Sequence, residues 1–483
     1  MLPGALAAAT VFVASGAVLV LEILSVRLLA PYVGLTLETT TSIIGAVLAG
    51  IALGAAVGGW TADRVDPRKL AIGLLVGGGL LVLLTVPIVR AIGPSARGGG
   101  DMGALEVTFA ALVPLAAVLS AISPTVARLQ LRDLRSSGTI VGRLSAWATA
   151  GALVGTFGTG FVLVPRFPVS STVLAIGVAL VLAGILLAAY MRLLHSGKAA
   201  GTVAGTVALV VLVAALHSPC DAETTYHCAL IEIVPQLPAG RLLVLDQEFN
   251  SFVEPQHPRY LAFPYTRWIG DSIAAMTPRG APLNVLFVGG GGFTLPRWLL
   301  ATRPGSHAHV FEVDGKLVEF DEQRLGLRTS PNMRVTVGDA RVAFQSQPGA
   351  SAEVVVGDAF SGLTIPWQLT TREWLEEVRR VLRPHGIYML NLIDFRPLKL
   401  LRAELATLLG TFANVRMITP AGGDGNPAGG NEVLLASNGP LPTQRGPAAF
   451  GASVYEKGAL VRLVAGAQPL RDDYAPVDQL ETR

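Results

Sequence analysis

Through residue 217 the chain is written in long runs of Ala, Val, Leu, Gly and Ile separated by short charged loops. From 218 onward charge, proline and alternating patterns return. Runs of about 20 apolar residues are long enough to cross a bilayer as helices. Seven such spans are expected, over about 5–30, 40–61, 70–92, 104–126, 142–165, 170–191 and 201–217. The first is too long for the apolar region of a signal peptide, runs into Glu22 and Arg27, and has no small-residue cleavage site, so it reads as a retained helix. In the second, Gly45, Gly50, Gly54 and Gly58 recur at near-helical spacing, which lets helix backbones approach closely.

The later pattern is of another kind. Alternation in YHCALIEIV and GRLLVLDQEFNSFVE predicts a small antiparallel sheet of four to six strands, followed by a helix over LAFPYTRWIGDSIAAM. Then NVLFVG, HAHVFEVD, MRVTVGDA, AEVVVGDA and GIYMLNLID alternate with helical stretches, among them TIPWQLTTREWLEEVRRVL closed by the turn RPHG. That order predicts a parallel α/β sheet. One more strand, NEVLLAS, stands between Gly/Pro-rich segments near the end.

Composition agrees with a membrane part. At 51% hydrophobic and 15% charged residues, with a mean hydropathy of +0.53, the chain is too apolar for an ordinary soluble enzyme. The net charge of +3 is small and its bases sit in short loops, which gives no nucleic-acid footprint. Loops after the second, fourth and sixth spans carry Arg64, Arg68, Lys69, Arg128, Arg132, Arg135, Arg143, Arg192 and Lys198; the others carry Arg27, Arg90, Arg97 and Arg166. Nine against four places the even loops and the N-terminus in the cytoplasm. With seven crossings the polar half lies on the extracytoplasmic side; if the short seventh span does not cross, it lies in the cytoplasm. The only cysteines, Cys220 and Cys228 in SPCDAETTYHCALIE, match no standard zinc spacing. A local disulfide in an oxidising compartment is the preferred reading, two free thiols the alternative.

The chemistry concentrates at strand ends. Four glycines, Gly289 to Gly292, follow NVLFV, and acids stand at the ends of later strands: Glu312 and Asp314, Asp339, Asp358 and Asp394. In an open α/β sheet these ends line one crevice. A glycine turn lets backbone approach a ligand that a Cβ would block. Glu312, at the end of the next strand, is placed to accept both hydroxyls of a ribose, and Asp339 to bond an adenine amino group. The run is not spaced G-x-G-x-x-G and no G-K-[ST] follows, which disfavours NAD and phosphate-loop chemistry. An adenosyl sulfonium donor, with no phosphates to cradle, fits better.

In these residues the sequence resembles the spermidine synthase family, the polyamine aminopropyltransferases, and specifically a membrane-fused subclass with a transporter-like N-terminal half. The segment GGWTADRVDPRKL after the second span is similar to the loop between helices two and three of major-facilitator transporters. The resemblance covers about residues 226–440. It implies a multi-pass α-helical membrane domain over 1–217, a small antiparallel β domain and linker over 218–270, and a Rossmann-like, methyltransferase-type α/β domain over 271–483. It also implies roles. The family's glycine turn falls on Gly289, Gly290 and Gly291, its ribose-binding acid on Glu312 of FEVD, its adenine-contacting acid on Asp339, its general base on Asp358 and its active-site tyrosine on Tyr265 of FPYT. Departures are Asn250 for a glutamine, Ser361 for the second Asp of D-S-S-D, Thr266 and Arg267 after the tyrosine, and GGGGFT for G-G-G-D-G-G.

The implied reaction is transfer of an aminopropyl group from decarboxylated S-adenosylmethionine to a small-molecule amine or polyamine, without a metal. Asp358, helped by Tyr265, would deprotonate the acceptor, since an amine near pKa 10 must lose a proton before it attacks. Two alternatives stand beside it. One is a methyltransferase using intact S-adenosylmethionine, whose carboxylate Arg267 could pair; the other is a non-catalytic, ligand-binding or transport-coupled membrane protein. Expected partners are the lipid bilayer, the amine and a second copy of the chain in a homodimer.

Overall fold

The computed structural model describes residues 2–33, 37–96, 100–131, 137–193, 196–215, 218–237, 239–246, 248–276, 280–422, 427–442 and 451–481. They form two compact units, Met1–Cys228 and Ala229–Arg483.

The first unit is helical. Among the described residues six helices are long and apolar enough to cross a membrane: Gly4–Val33, Thr39–Ala62, Pro67–Ser95, Leu105–Gln130, Ser137–Arg166 and Val169–Tyr190. The seventh expected span is narrower than its sequence suggested. It is a helix, Ser196–Ala215, but its apolar stretch is only Ala200–Val213, and residues 216–217 lie outside the described ones. The glycines of the second helix do what their spacing implied. A Cβ on Gly50 would meet Ala116 Cβ at 2.6 Å, and one on Gly58 would meet Ala121 Cβ at 2.5 Å. Gly45 faces open space instead. Several buried hydroxyls are satisfied within their own helices, as Thr85 bonds Leu81 O at 3.0 Å and Thr125 bonds Ala121 O at 2.7 Å. The unit ends in the two-residue strand β1 (Ala222–Glu223) and a disulfide between Cys220 and Cys228, whose Cα atoms are 5.2 Å apart.

The second unit opens with β2 (Cys228–Glu232), β3 (Arg241–Leu245) and β4 (Glu248–Val253), paired antiparallel. A helix over Pro264–Met276 leads into an eight-stranded sheet. Its strands are β5 (Asn284–Val288), β6 (His307–Glu312), β7 (Met333–Val337), β8 (Ala352–Gly357), β9 (Leu382–Phe395), β10 (Asn414–Pro420), β11 (Gly429–Ser437) and β12 (Ala452–Glu456). Spatial order is β12-β10-β11-β9-β8-β5-β6-β7. The five from β7 to β9 are parallel and the last three antiparallel. Order reverses at β5, which lies between β6 and β8, so the crevice of an open α/β sheet falls there. Both faces of β5 are covered: Val285 and Phe287 join one core, Leu286 and Val288 the other. That double burial is why NVLFV reads as an unbroken apolar run.

Three expectations need correction. The turn over RPHG is a bulge inside β9: Ala352 pairs with Leu382 and Val354 with Ile387, so Arg383–Gly386 swings out of register. The helix expected from Thr364 starts only at Arg372, where the Thr371 side chain accepts the Trp374 amide; a single 3-10 turn, Trp367–Leu369, precedes it. The polar-looking stretches NVRMITP and ASVYE are strands β10 and β12, hidden from a reading of periodicity because β10 has polar residues at its ends and β12 is only partly buried.

Candidate active site

The glycine turn is built from both conformation and crowding. Gly289 has φ +95°, and a Cβ there would run into the backbone of Asp358. At Gly291, with φ +47°, a Cβ would stand 2.5 Å from Asn250 Oδ1. Only glycine meets both demands cheaply. The turn is also held at its amides. Gly289 N bonds Phe311 O at 2.9 Å, Gly290 N bonds Glu312 Oε2 at 2.7 Å, Gly292 N bonds Ser251 Oγ at 3.0 Å and Phe293 N bonds Gly290 O at 2.8 Å. Phe293 itself is left-handed, φ 58° and ψ 31°, with its side chain fully buried.

Asp358 stands at the end of β8, its amide bonding Val288 O on the neighbouring β5 at 2.8 Å. Its Oδ2 accepts from the Tyr265 hydroxyl at 3.2 Å and its Oδ1 from Asn391 Nδ2 at 2.8 Å. Asn391 Oδ1 in turn accepts from Asn431 Nδ2 at 3.1 Å. Burial pushes the Asp358 carboxyl up to about 6, against the pull of the two donors, which favour the ionised form. Burial also raises the Tyr265 hydroxyl well above its ordinary value, with the adjacent Asp358 charge adding to it. Tyr265 therefore stays a donor near neutrality. These groups open on a cavity of about 240 Å³ that also takes in Glu248, Asn250, Gly290, Gly291 and Phe360.

The expected site residues divide into three groups. Gly290, Gly291, Asn250, Tyr265 and Asp358 come together on this cavity, with Gly289 in the turn beside it. Glu312, 7% exposed, lies against the turn and also accepts the Asp314 amide through Oε1 at 2.8 Å. The remaining acids are occupied otherwise. Asp314 and Asp339 cap the helices Gly315–Arg324 and Ala340–Gln345, and Asp394 accepts the amides of Phe395 and Leu401, each at 2.9 Å. The acids at the strand ends thus do not line a single crevice, because an acid between a strand and a helix is also the residue that caps the helix.

Two acceptor-side expectations are corrected as well. Arg267 does not line the cavity: its Nε donates to Leu261 O at 2.6 Å and its charge faces Asp271. Ser361, bridged to Thr364, is not among the lining residues either. Asn391 and Asn431 were missed by sequence reasoning. Their signal was an amide in the middle of the apolar run YMLNLI, and one at the start of NEVLLAS.

A parallel sheet reversing at a glycine turn, with an acid on the adjacent strand, defines a Rossmann-like α/β fold. No family model matches the sequence. Among curated relatives, the polyamine aminopropyltransferase of Vibrio vulnificus is 31% identical over 200 residues, 40% of this chain and 62% of its own length. The eEF1A lysine and N-terminal methyltransferase of Bos taurus is 30% identical over 142 residues, 27% of this chain and 20% of its own length. Among solved structures, a probable spermidine synthase of Corynebacterium glutamicum is 25% identical, covering 54% of this chain and 99% of that one, with a TM-score of 0.49. The chain thus spans less than two thirds of the aminopropyltransferase it matches. Over its α/β half the chain is similar to polyamine aminopropyltransferases.

Proposed function

We propose that the α/β half transfers an aminopropyl group from decarboxylated S-adenosylmethionine to a small-molecule amine or polyamine. The observation that carries this reading is the Asp358–Tyr265 pair opening on the same cavity as Gly290 and Gly291. Glu312 takes the ribose hydroxyls beside the turn whose amide it already accepts. Asp339, exposed and capping through Oδ1, offers its other oxygen to the adenine amino group. Asp358 accepts a proton from the acceptor ammonium, and the nitrogen lone pair then forms a bond to the methylene next to sulfur. The carbon–sulfur bond breaks, its electrons stay on sulfur, and methylthioadenosine leaves. With a pKa near 6, Asp358 is ionised at neutral pH and basic enough to act. The methyltransferase alternative loses its specific support, because Arg267 is engaged with Leu261 O instead of the cavity.

The helices are proposed to make this a multi-pass membrane protein. Large apolar side chains cover the outside of the first unit, with Phe161 73% and Leu186 69% exposed, a surface suited to lipid. The 20-residue helix Ser196–Ala215 is about 30 Å long, the length of a crossing, although its apolar stretch is only Ala200–Val213. A seventh crossing there, with the Cys220–Cys228 bond, gives an extracytoplasmic α/β half to which the donor must be supplied, whereas six crossings leave it in the cytoplasm.

The test is a titration of the purified full chain with S-adenosylmethionine, its decarboxylated form and methylthioadenosine. Selective binding of the decarboxylated donor, with aminopropylated product from an added diamine, is the expected result. Preference for the intact donor would turn the reading to methyl transfer, and binding of none would remove both.

A further inference from the structure

We propose that Asn391 and Asn431 form a two-amide relay that aims the Asp358 carboxylate, with Asn391 touching it and Asn431 fixing which way Asn391 faces; the role rests on the reading of Asp358 as the base. Asn391 stands on β9 and is 2% exposed, so its amide cannot turn to water. A carboxylate only accepts, and an amide has one end that donates and one that accepts. Asn391 must therefore present Nδ2 to Asp358 Oδ1, as it does at 2.8 Å. Asn431, on the adjacent antiparallel strand β11, donates to the opposite end of Asn391 at 3.1 Å. A flipped Asn391 would set its oxygen against the Asp358 carboxylate and its NH2 against the Asn431 donor, so both neighbours oppose the flip. The relay thus makes one orientation of Asn391 the stable one.

Two consequences follow for the carboxylate. Oδ1 is held by Asn391, so Oδ2, bonded by Tyr265, is the oxygen left toward the cavity. A donor to the ionised form also limits how far burial raises the carboxyl. The titratable groups around it are few. Tyr265 is in contact, Glu248 lies across the same cavity, and Glu312 sits behind Gly290. Asn431 is not in contact with Asp358 through any bond of its own, so its effect passes through Asn391. It is a positioning residue.

The relay is tested on the full chain in detergent by infrared titration of the Asp358 carboxyl band, assigned by its loss in Asp358→Asn. Asn391→Leu removes one charge-assisted donor and raises the apparent pKa by about one unit. Asn431→Leu raises it in the same direction by less. In activity, both move the acidic limb of the kcat/KM profile to higher pH, because the base must be ionised. Methylthioadenosine affinity serves as the folding check and stays within about twofold. A titration of Asn431→Leu identical to that of the parent chain overturns the relay. The outcomes separate from those of the proposed reaction: shifted carboxyl titrations without aminopropyl transfer by the parent chain keep the relay and remove the reaction, whereas transfer with unshifted titrations does the reverse.

Discussion

The two halves bury different kinds of polar group. In the helical unit a buried hydroxyl turns back on its own helix, as Thr10, Ser25, Thr85 and Thr125 each bond the carbonyl four residues earlier. The α/β unit adds acids, of which Asp314 and Asp394 accept nearby amides while others reach across the chain, Glu312 to Gly290 and Asp358 to Tyr265 and Asn391. Three, Asp321, Glu404 and Glu432, are fully buried with no hydrogen-bond partner for either carboxyl oxygen. Local satisfaction leaves the helical unit's stability to packing, whereas long-range satisfaction makes the α/β unit hold titrating groups where solvent cannot relax them.

The largest expected effect breaks the long-range side. Asp358→Asn lowers kcat by about a thousandfold, roughly 4 kcal/mol of barrier, while methylthioadenosine binding is kept; binding and turnover assays on one preparation check both halves of that statement. Next comes the packing side. Gly54→Leu inserts a side chain where even a Cβ would collide with the Ala117 backbone, and costs about 3 kcal/mol, read as a lower Tm with unchanged catalytic constants in protein that folds.

The unpartnered acids give a smaller effect with a definite sign. Burial pushes the Asp321 and Glu404 carboxyls well above the usual range, for Asp321 against the pull of the Arg297 guanidinium. The folded chain therefore keeps protons that the unfolded chain releases once pH exceeds about 4, so stability falls as pH rises above that point toward the folded pKa values. Tm at pH 5 should exceed Tm at pH 8 by a few degrees, and Glu404→Gln should narrow the gap by gaining at pH 8 alone. Smallest of all is Thr85→Val. It removes a hydroxyl bonded only within its own helix and should change stability by less than about 0.5 kcal/mol; a larger loss would mean that the helical unit also relies on distant polar partners.

Legibility in the sequence followed the same divide. Helix periods and glycine spacing are local, so most of the bundle could be read from the chain; the seventh span, whose apolar stretch is Ala200–Val213, was the exception. The glycine turn, Glu312 and Asp358 stand at the edges of the apolar runs that become parallel strands, where a reading of periodicity finds them, whereas Tyr265 was singled out only by the family resemblance of FPYT. Asp314 and Asp339 were assigned to ligand on the same strand-edge cue, which does not distinguish a cap from a contact; both cap helices, and Asp339 does so through one oxygen only. Asn391 and Asn431 stayed hidden because their meeting depends on the pairing of β9 with β11, forty residues apart along the chain. The bulge at Arg383–Gly386 was read as the end of a helix for a related reason: Pro384 and Gly386 mark a break in periodicity without saying whether a strand resumes on the other side.

Phe293 gives the turn beneath the site a property beyond shape. A left-handed backbone is normally left to glycine, which keeps such turns pliant; here a ring sealed in the core occupies that conformation. The ordering entropy of the turn is consequently spent while the chain folds, so the proposed nucleoside donor would meet a surface already set, and the affinity gained there would carry little penalty for stilling the loop.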